Sequence, residues 1–215
     1  EITDVKLIEK IASTKKTTFI STGMATKKDI FNVIKIFKKK KNKNYILLKC
    51  TSNYPADPSD SNILTIKDMK KQFKCPVGIS DHTLGIGAAL AGVALGASII
   101  EKHFAVSDHM DGLDSSFSSD ETEMSALVKE CDRAWRSKGM SVFGLSQREQ
   151  KNIQFKRSIY ASADIEVGDT FSRENIKIVR PGFGMHPRYF STLLGKISKK
   201  SYSFGEPLNE DLSNE

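Results

Sequence analysis

The chain has 215 residues, 39% of them hydrophobic and 27% charged, with a formal net charge of +7; it is long enough to bury a core and too apolar to be disordered throughout. No run reaches the roughly 18 to 20 consecutive apolar residues of a membrane-spanning helix, since the longest, residues 88–100, is rich in Ala and Gly, so no membrane partner is expected. Cys50, Cys75 and Cys131 are an odd set without C-x-x-C spacing, which argues against a disulfide framework or a zinc knuckle and for a reducing, cytoplasmic setting.

In chain order, EITDVKLIEKIA reads as a helix entered in mid-fold, without initiator Met or signal peptide, so further sequence is expected upstream. Thr3 or Asp4 caps it, and Val5, Leu7, Ile8 and Ile11 recur at helical spacing. TTFIST at 17–22 is a short β-rich run closed by Gly23, and Thr26 caps a second helix with Ile30, Val33, Ile34 and Phe37 on one face. Much of the positive charge sits in KIFKKKKNKN at 35–44. Without aromatic residues interleaved for base stacking it reads as a solvated helix end, and no nucleic-acid partner is expected.

YILLKCTS at 45–52 is a second strand, NILTIKDMKKQF at 62–73 a third helix and PVGISD at 76–81 a third strand. Residues 86–96 form a small-residue helix, and ASIIEKHF at 97–104 a fourth strand. Strands at intervals of about 25 residues, each followed by a helix, are the signature of βα units in a parallel sheet. The fold class is therefore α/β, and four such units are half of a (β/α)8 TIM barrel. After the loop AVSDHMDGLDSSFSSDETE, a helix runs through Met124, Leu127, Val128 and Trp135. The partial barrel spans 1–137, a polar linker 138–156, and short alternating runs with turns at Gly168 and Gly205 predict a small β-rich domain over 157–215. Within it, ADIEVGDTFSRENI and KKSYSFGEPLNEDL read as two variants of one theme.

Parallel barrels carry their chemistry at the C-terminal strand ends, and each strand here ends in polar residues: Ser21-Thr22, Thr51-Ser52, Ser80-Asp81-His82 and Glu101-Lys102-His103. His82 and His103, at neighbouring strand ends, suit a divalent cation such as Mn2+ better than an all-oxygen Mg2+ site does; the alternative is that each imidazole only hydrogen-bonds within its own strand end. Ser21, Thr22, Thr51, Ser52, Tyr54 and Ser80 offer hydroxyls at the strand ends for a phosphate or carboxylate, against ordinary capping and turn chemistry. Glu101 and Asp114 are the carboxylates nearest the histidines, placed to act as a base or to orient a sugar hydroxyl. Lys102 points away from the lumen, Met24 and Met69 are helix core or surface, and Cys50 is packing. RPGFGMHP at 180–187 is a shaped loop whose Arg180 can present a guanidinium to a carbonyl or carboxylate.

The segments STGMAT, KCTSNYPA, GISDHTLGI, ALGASIIEKHF, GLDSSFS and RPGFGMHP resemble, in order and spacing, the sialic acid synthase family, which condenses phosphoenolpyruvate with an N-acetylated amino sugar. KCTSNYPA and DSSFS are most similar to its pseudaminic acid synthase branch; N-acetylneuraminate synthases tend to carry Asn where Ser52 stands. The resemblance implies the C-terminal half of a (β/α)8 barrel followed by an antifreeze-like (SAF) domain. It implies His82 and His103 as ligands of a divalent metal, Mn2+ before Mg2+ or Co2+, and Ser21, Ser52, Tyr54 and Ser80 at the phosphoenolpyruvate site. Glu101 and Asp114 would lie near the acceptor sugar. Arg180 would reach into the partner's barrel mouth to the acceptor's N-acetyl group, in a domain-swapped homodimer. Family members have four further βα units, carrying a Glu, lysines and a Ser of the phosphoenolpyruvate site, that precede the region matched here. Without them the chain is expected to be a fragment of a longer enzyme, a split gene product or a chain that pairs with another half, inactive as an isolated monomer. The acceptor is expected to be a 2,4-diacetamido trideoxy hexose with N-acetylmannosamine the alternative, and a noncatalytic sugar-binding fragment is the other reading.

Overall fold

The computed structural model describes residues 1–106 and 112–210; residues 107–111 of the expected loop, and the last five residues of the expected β-rich domain, lie outside them. The chain divides into two compact units, Glu1–Met140 and Ser141–Glu215.

In the first unit, α1 (Val5–Ser13) starts where the Asp4 carboxylate accepts the Leu7 N–H at 3.1 Å. It is followed by β1 (Thr18–Ser21), α2 (Lys27–Lys39), β2 (Tyr45–Cys50), α3 (Thr65–Phe73), β3 (Val77–Asp81), α4 (Gly87–Ala94), β4 (Ile100–Lys102) and α5 (Glu121–Ser137). Thr26 and Asp29 form a reciprocal capping box at the start of α2, which satisfies two of the helix's orphan N–H groups. The four strands lie in the order β1-β2-β3-β4, all neighbours parallel, the curled sheet of half a barrel. The exposed lysines Lys38, Lys39, Lys41 and Lys43 lie at and beyond the end of α2, where positive charge complements the helix dipole. No described helix is long and apolar enough to cross a membrane.

Strand alternation sends the two faces of this sheet to different fates. Ile20, Leu47, Val77 and Ile79 join Ile8, Ile30, Val33, Phe37 and Ile66 in a buried core on the helix side. The pairing Cys50↔Ser80 and Ser80↔Glu101 puts the polar strand-end residues on the opposite, lumen face. The inner face is tight lower down: a Cβ on Gly78 would lie 2.5 Å from the Ile99 carbonyl oxygen and 2.7 Å from Leu48 Cδ2.

Three elements are shorter than their sequence pattern predicts. The 62–73 helix begins at Thr65 because Asn62 turns left-handed, with φ 42°, after a 3-10 turn over Pro58–Ser61. The 86–96 helix ends at Ala94, before Gly96 at φ 101°. The fourth strand keeps only Ile100–Lys102 of the expected 97–104. Met24 is in the turn before α2 and 96% exposed, whereas Met69 is buried in α3.

The second unit has β5 (Ser158–Ala161) antiparallel to β6 (Ile176–Val179), and a short α6 (Phe190–Leu193). Ile159, Ile165, Phe171, Ile176, Leu193 and Leu208 form its core. The stretch 138–156 contains a 3-10 turn over Glu149–Phe155. The two similar segments share a physical basis: Asp169 accepts the Glu166 N–H at 2.8 Å, and Glu206 accepts the Ser203 N–H at 2.9 Å. Each turn passes through a left-handed glycine, Gly168 at φ 99° and Gly205 at φ 82°, a conformation that costs glycine least.

Candidate active site

A cavity of about 450 Å3 opens over the lumen face of the first unit. From β1 and the turn after it come Ser21 and Gly23; from the end of β2 and the segment after it, Cys50, Ser52 and Tyr54; from β3 and the residue after it, Ser80 and His82; from β4 and the residue after it, Glu101 and His103. These are alternate residues of four adjacent strands, so one register brings them together. Gly23 is held close to Ser52, whose Oγ occupies the place a Cβ on residue 23 would need.

His82 is buried, and its Nδ1 lies 2.8 Å from the Thr51 carbonyl oxygen. A carbonyl can only accept, so this bond puts the proton on Nδ1 and leaves the neutral ring's lone pair on Nε2. Nε2 is on the side of Ser80, 3.5 Å from its Oγ. The Ser80 hydroxyl in turn donates to Glu101 Oε1 at 2.7 Å. The His82 and His103 rings are 5.3 Å apart between centroids, and His103 Nδ1 is 3.6 Å from Asp114 Oδ2. Tyr54 covers both rings, 4.2 Å from His82 and 5.8 Å from His103, while Phe117 packs 5.0 Å from His103. Partial desolvation, and then the nearby Cys50, Asp114 and Glu101, raise the Tyr54 pKa above its ordinary value.

Among the sequence-derived candidates, Ser21, Ser52, Tyr54, Ser80, His82, Glu101 and His103 therefore line one cavity, and Asp114 joins it through His103. Cys50 is buried and also lines it. Lys102 leaves the lumen, as its strand position requires, and pairs with Asp81 Oδ2 at 3.1 Å. Arg180 belongs to the second unit, exposed at the end of β6. The loop after it is shaped by steric need: Cβ atoms on Gly182 and Gly184 would lie 2.6 Å from the Ile153 carbonyl oxygen and 2.5 Å from that of Ile159. Buried Ser158 staples that loop, donating to the Pro181 carbonyl at 2.8 Å and accepting the Gly184 N–H at 2.9 Å.

Sequence reasoning missed Phe117, the Thr51 carbonyl and Gly23. Phe117 had a signal, an aromatic residue in an otherwise polar loop. A backbone carbonyl has none. No lysine or arginine lines the cavity among the described residues, and none of its His, Cys, Asp and Glu side chains gather in threes as a self-sufficient metal site.

Comparison with known proteins gives this arrangement a family. The chain is 43% identical to a pseudaminic acid synthase of Campylobacter jejuni over 98% of its own length and 61% of that protein's. It is 37% identical to an N,N'-diacetyllegionaminic acid synthase of the same species, over 98% of the chain and 64% of that protein. The chain thus spans somewhat under two thirds of the curated relatives it matches. A crystal structure of N-acetylneuraminic acid (sialic acid) synthetase from Leptospira borgpetersenii, in complex with citrate, superposes with a TM-score of 0.65 at 36% identity, covering 72% of this chain and 54% of that one. The NeuB family model matches residues 1–142 and the SAF domain model residues 156–212. The chain belongs to the NeuB family, the sialic acid synthases that its strand-end motifs resemble.

Proposed function

We propose that the chain serves in a nonulosonic acid synthase that condenses phosphoenolpyruvate with an N-acetylated amino sugar, a 2,4-diacetamido trideoxy hexose in preference to N-acetylmannosamine. The observation that carries this reading is the convergence of hydroxyls, two imidazoles and a carboxylate from four strand ends on one cavity. The acceptor preference rests on the likeness to pseudaminic acid synthase.

In the proposed reaction, carbon 3 of phosphoenolpyruvate attacks the aldehyde carbon of the open-chain sugar, and the aldehyde oxygen takes up a proton as the C–C bond forms. Water adds to the cationic carbon 2 and gives up a proton. The remaining hydroxyl proton then passes to the departing phosphate as the bond from that carbon to the phosphate oxygen breaks, leaving a carbonyl at carbon 2 and inorganic phosphate. Ser21 and Ser52 bind oxyanions through their hydroxyls, the protonated Tyr54 phenol donates beside them, and Ser80 joins them only by turning its single proton from Glu101 to the substrate. Glu101, already accepting the Ser80 proton, is the base placed for the incoming water; Asp114 orients His103. Arg180 holds the acceptor's N-acetyl group from the partner subunit of a domain-swapped homodimer.

His82 and His103 fit a divalent cation: the Thr51 carbonyl fixes the His82 tautomer with Nε2 free to ligate, the usual outer-shell arrangement. Among the described residues no third His, Cys, Asp or Glu gathers with the two imidazoles, so water or substrate would complete the set. Imidazole donors favour Mn2+ or Co2+ over Mg2+, and such an ion, when bound, supplies Lewis-acid polarisation of the aldehyde oxygen. A cavity lined by no described cation needs lysines from further barrel units to hold the phosphate. Three free cysteines fit a cytoplasmic enzyme.

The test is phosphate release from phosphoenolpyruvate and Mn2+ with each acceptor, by the chain alone and with the first barrel half of a pseudaminic acid synthase added in trans. Release that prefers the diacetamido sugar and disappears in His82→Ala/His103→Ala is the expected result. No release from the folded chain in either format, or release indifferent to both histidines, would overturn the proposal.

A further inference from the structure

Behind each imidazole, on the helix side of the sheet, stands a polar residue where an apolar one would pack. Asp81 precedes His82, and Lys102 precedes His103; their side chains are 1% and 2% exposed and meet at 3.1 Å. Both members have further partners. Lys102 Nζ also donates to the Thr83 carbonyl at 2.6 Å, and Asp81 Oδ1 accepts the Thr83 N–H at 3.0 Å and its hydroxyl at 2.8 Å. Ionic groups so buried lose their hydration, and well-packed apolar residues commonly hold two strands together as well or better. The pair also sits at the last rung of the β3–β4 ladder, Asp81↔Lys102, one residue before the chain leaves each strand with its histidine.

We propose that the Asp81–Lys102 ion pair, with Thr83, is a positioning lock that fixes the backbone of His82 and His103 relative to each other, and so sets the spacing of the two imidazoles in the cavity. Asp81 and Thr83 grip the residues on both sides of His82, and Lys102 ties them to the residue before His103. Two backbone amides report on the result directly. Ala56 donates to the His82 carbonyl and Ser119 to the His103 carbonyl, each at 2.9 Å. The functional meaning of this spacing rests on the metal-site reading above; the lock itself does not.

The test is Asp81→Asn/Lys102→Met, which removes both charges while keeping size and the acceptor to Thr83, beside Lys102→Met alone, which strands the Asp81 carboxylate. Amide hydrogen exchange is followed at Ala56 and Ser119, with Leu47 and Thr22, bonded to the Pro76 and Leu48 carbonyls, as references deeper in the sheet. In the double variant, exchange at Ala56 and Ser119 should quicken about tenfold or more while the references hold, the mark of a local opening, and Mn2+ affinity should fall by roughly tenfold, the low end for an outer-shell change. Exchange rising equally at all four amides would mean a merely structural pair and overturn the proposal, as would no change at Ala56 and Ser119. Lys102→Met should show the same selective pattern, more strongly, if it folds; if it does not, the double variant alone decides. A wild-type chain that binds no Mn2+ yet shows the selective exchange effect would sink the metal reading and leave the lock standing.

Discussion

Gly78→Ala is the smallest change with a calculable effect on the barrel. The added methyl carbon would lie 2.5 Å from the Ile99 carbonyl oxygen, 2.7 Å from Leu48 Cδ2 and 3.0 Å from Ile99 Cβ. Two of these contacts belong to Ile99, whose carbonyl accepts the Ile79 N–H at 2.9 Å, and Leu48 is fully buried. Relief therefore requires moving backbone and opening the β3–β4 ladder, not swinging a side-chain tip. Overpacking of this kind costs about 1–3 kcal/mol, and backbone as the obstacle places it near the upper end. For a unit of this size about 3 kcal/mol corresponds to a fall in Tm of roughly 10 °C. Gly87→Ala is the matched control: nothing lies within 4 Å of its Cβ position at the start of α4, and alanine's helix propensity should leave stability unchanged or raised by up to about 1 kcal/mol. Thermal unfolding followed by circular dichroism compares the two. A Gly78→Ala melt within about 2 °C of wild type, a shift worth well under 1 kcal/mol, would refute the steric reasoning.

In the second unit, burial lifts the Tyr202 pKa from 10.0 to about 12, the Asn209 amide bond working against it and Glu210 with it. Because the folded value is raised, the stabilisation is complete below the unfolded pKa of about 10 and is lost as pH rises through about 12. Urea melts at pH 9 and pH 11.5 should show the loss, and Tyr202→Phe should flatten the dependence while costing about 1 kcal/mol at pH 7 for the bond to Glu210; an unchanged slope would count against it. Ser158→Ala strands the Pro181 carbonyl and the Gly184 N–H and should destabilise that unit by about 1–3 kcal/mol. If Arg180 holds the acceptor, the same variant raises KM for the sugar more than for phosphoenolpyruvate, which steady-state kinetics of an active assembly would separate.

The barrel half and its site were legible because the needed information is local. Each strand ends in its own polar cluster, and alternation alone assigns Ser80, His82, Glu101 and His103 to one face and Asp81 and Lys102 to the other. What remained hidden depends on partners far along the chain. The hydrogen bond from His82 to the Thr51 carbonyl joins a side chain to a backbone atom 31 residues away, and no residue pattern encodes a carbonyl's direction. The Asp81–Lys102 contact needs the β3–β4 register, which neither residue's type specifies. The shortness of the fourth strand, whose ladder holds three pairs, Ile79↔Ile100 to Asp81↔Lys102, is likewise set by where its neighbour runs and not by its own residue pattern.

The claim that His82 and His103 form the working end of the cavity is tested most directly by Mn2+ binding to the purified chain, read by electron paramagnetic resonance of the free ion. The expected result is one bound Mn2+ per chain, with affinity lost in His82→Ala and in His103→Ala while circular dichroism shows both variants folded. Equal Mn2+ binding by wild type and the double variant would contradict the claim.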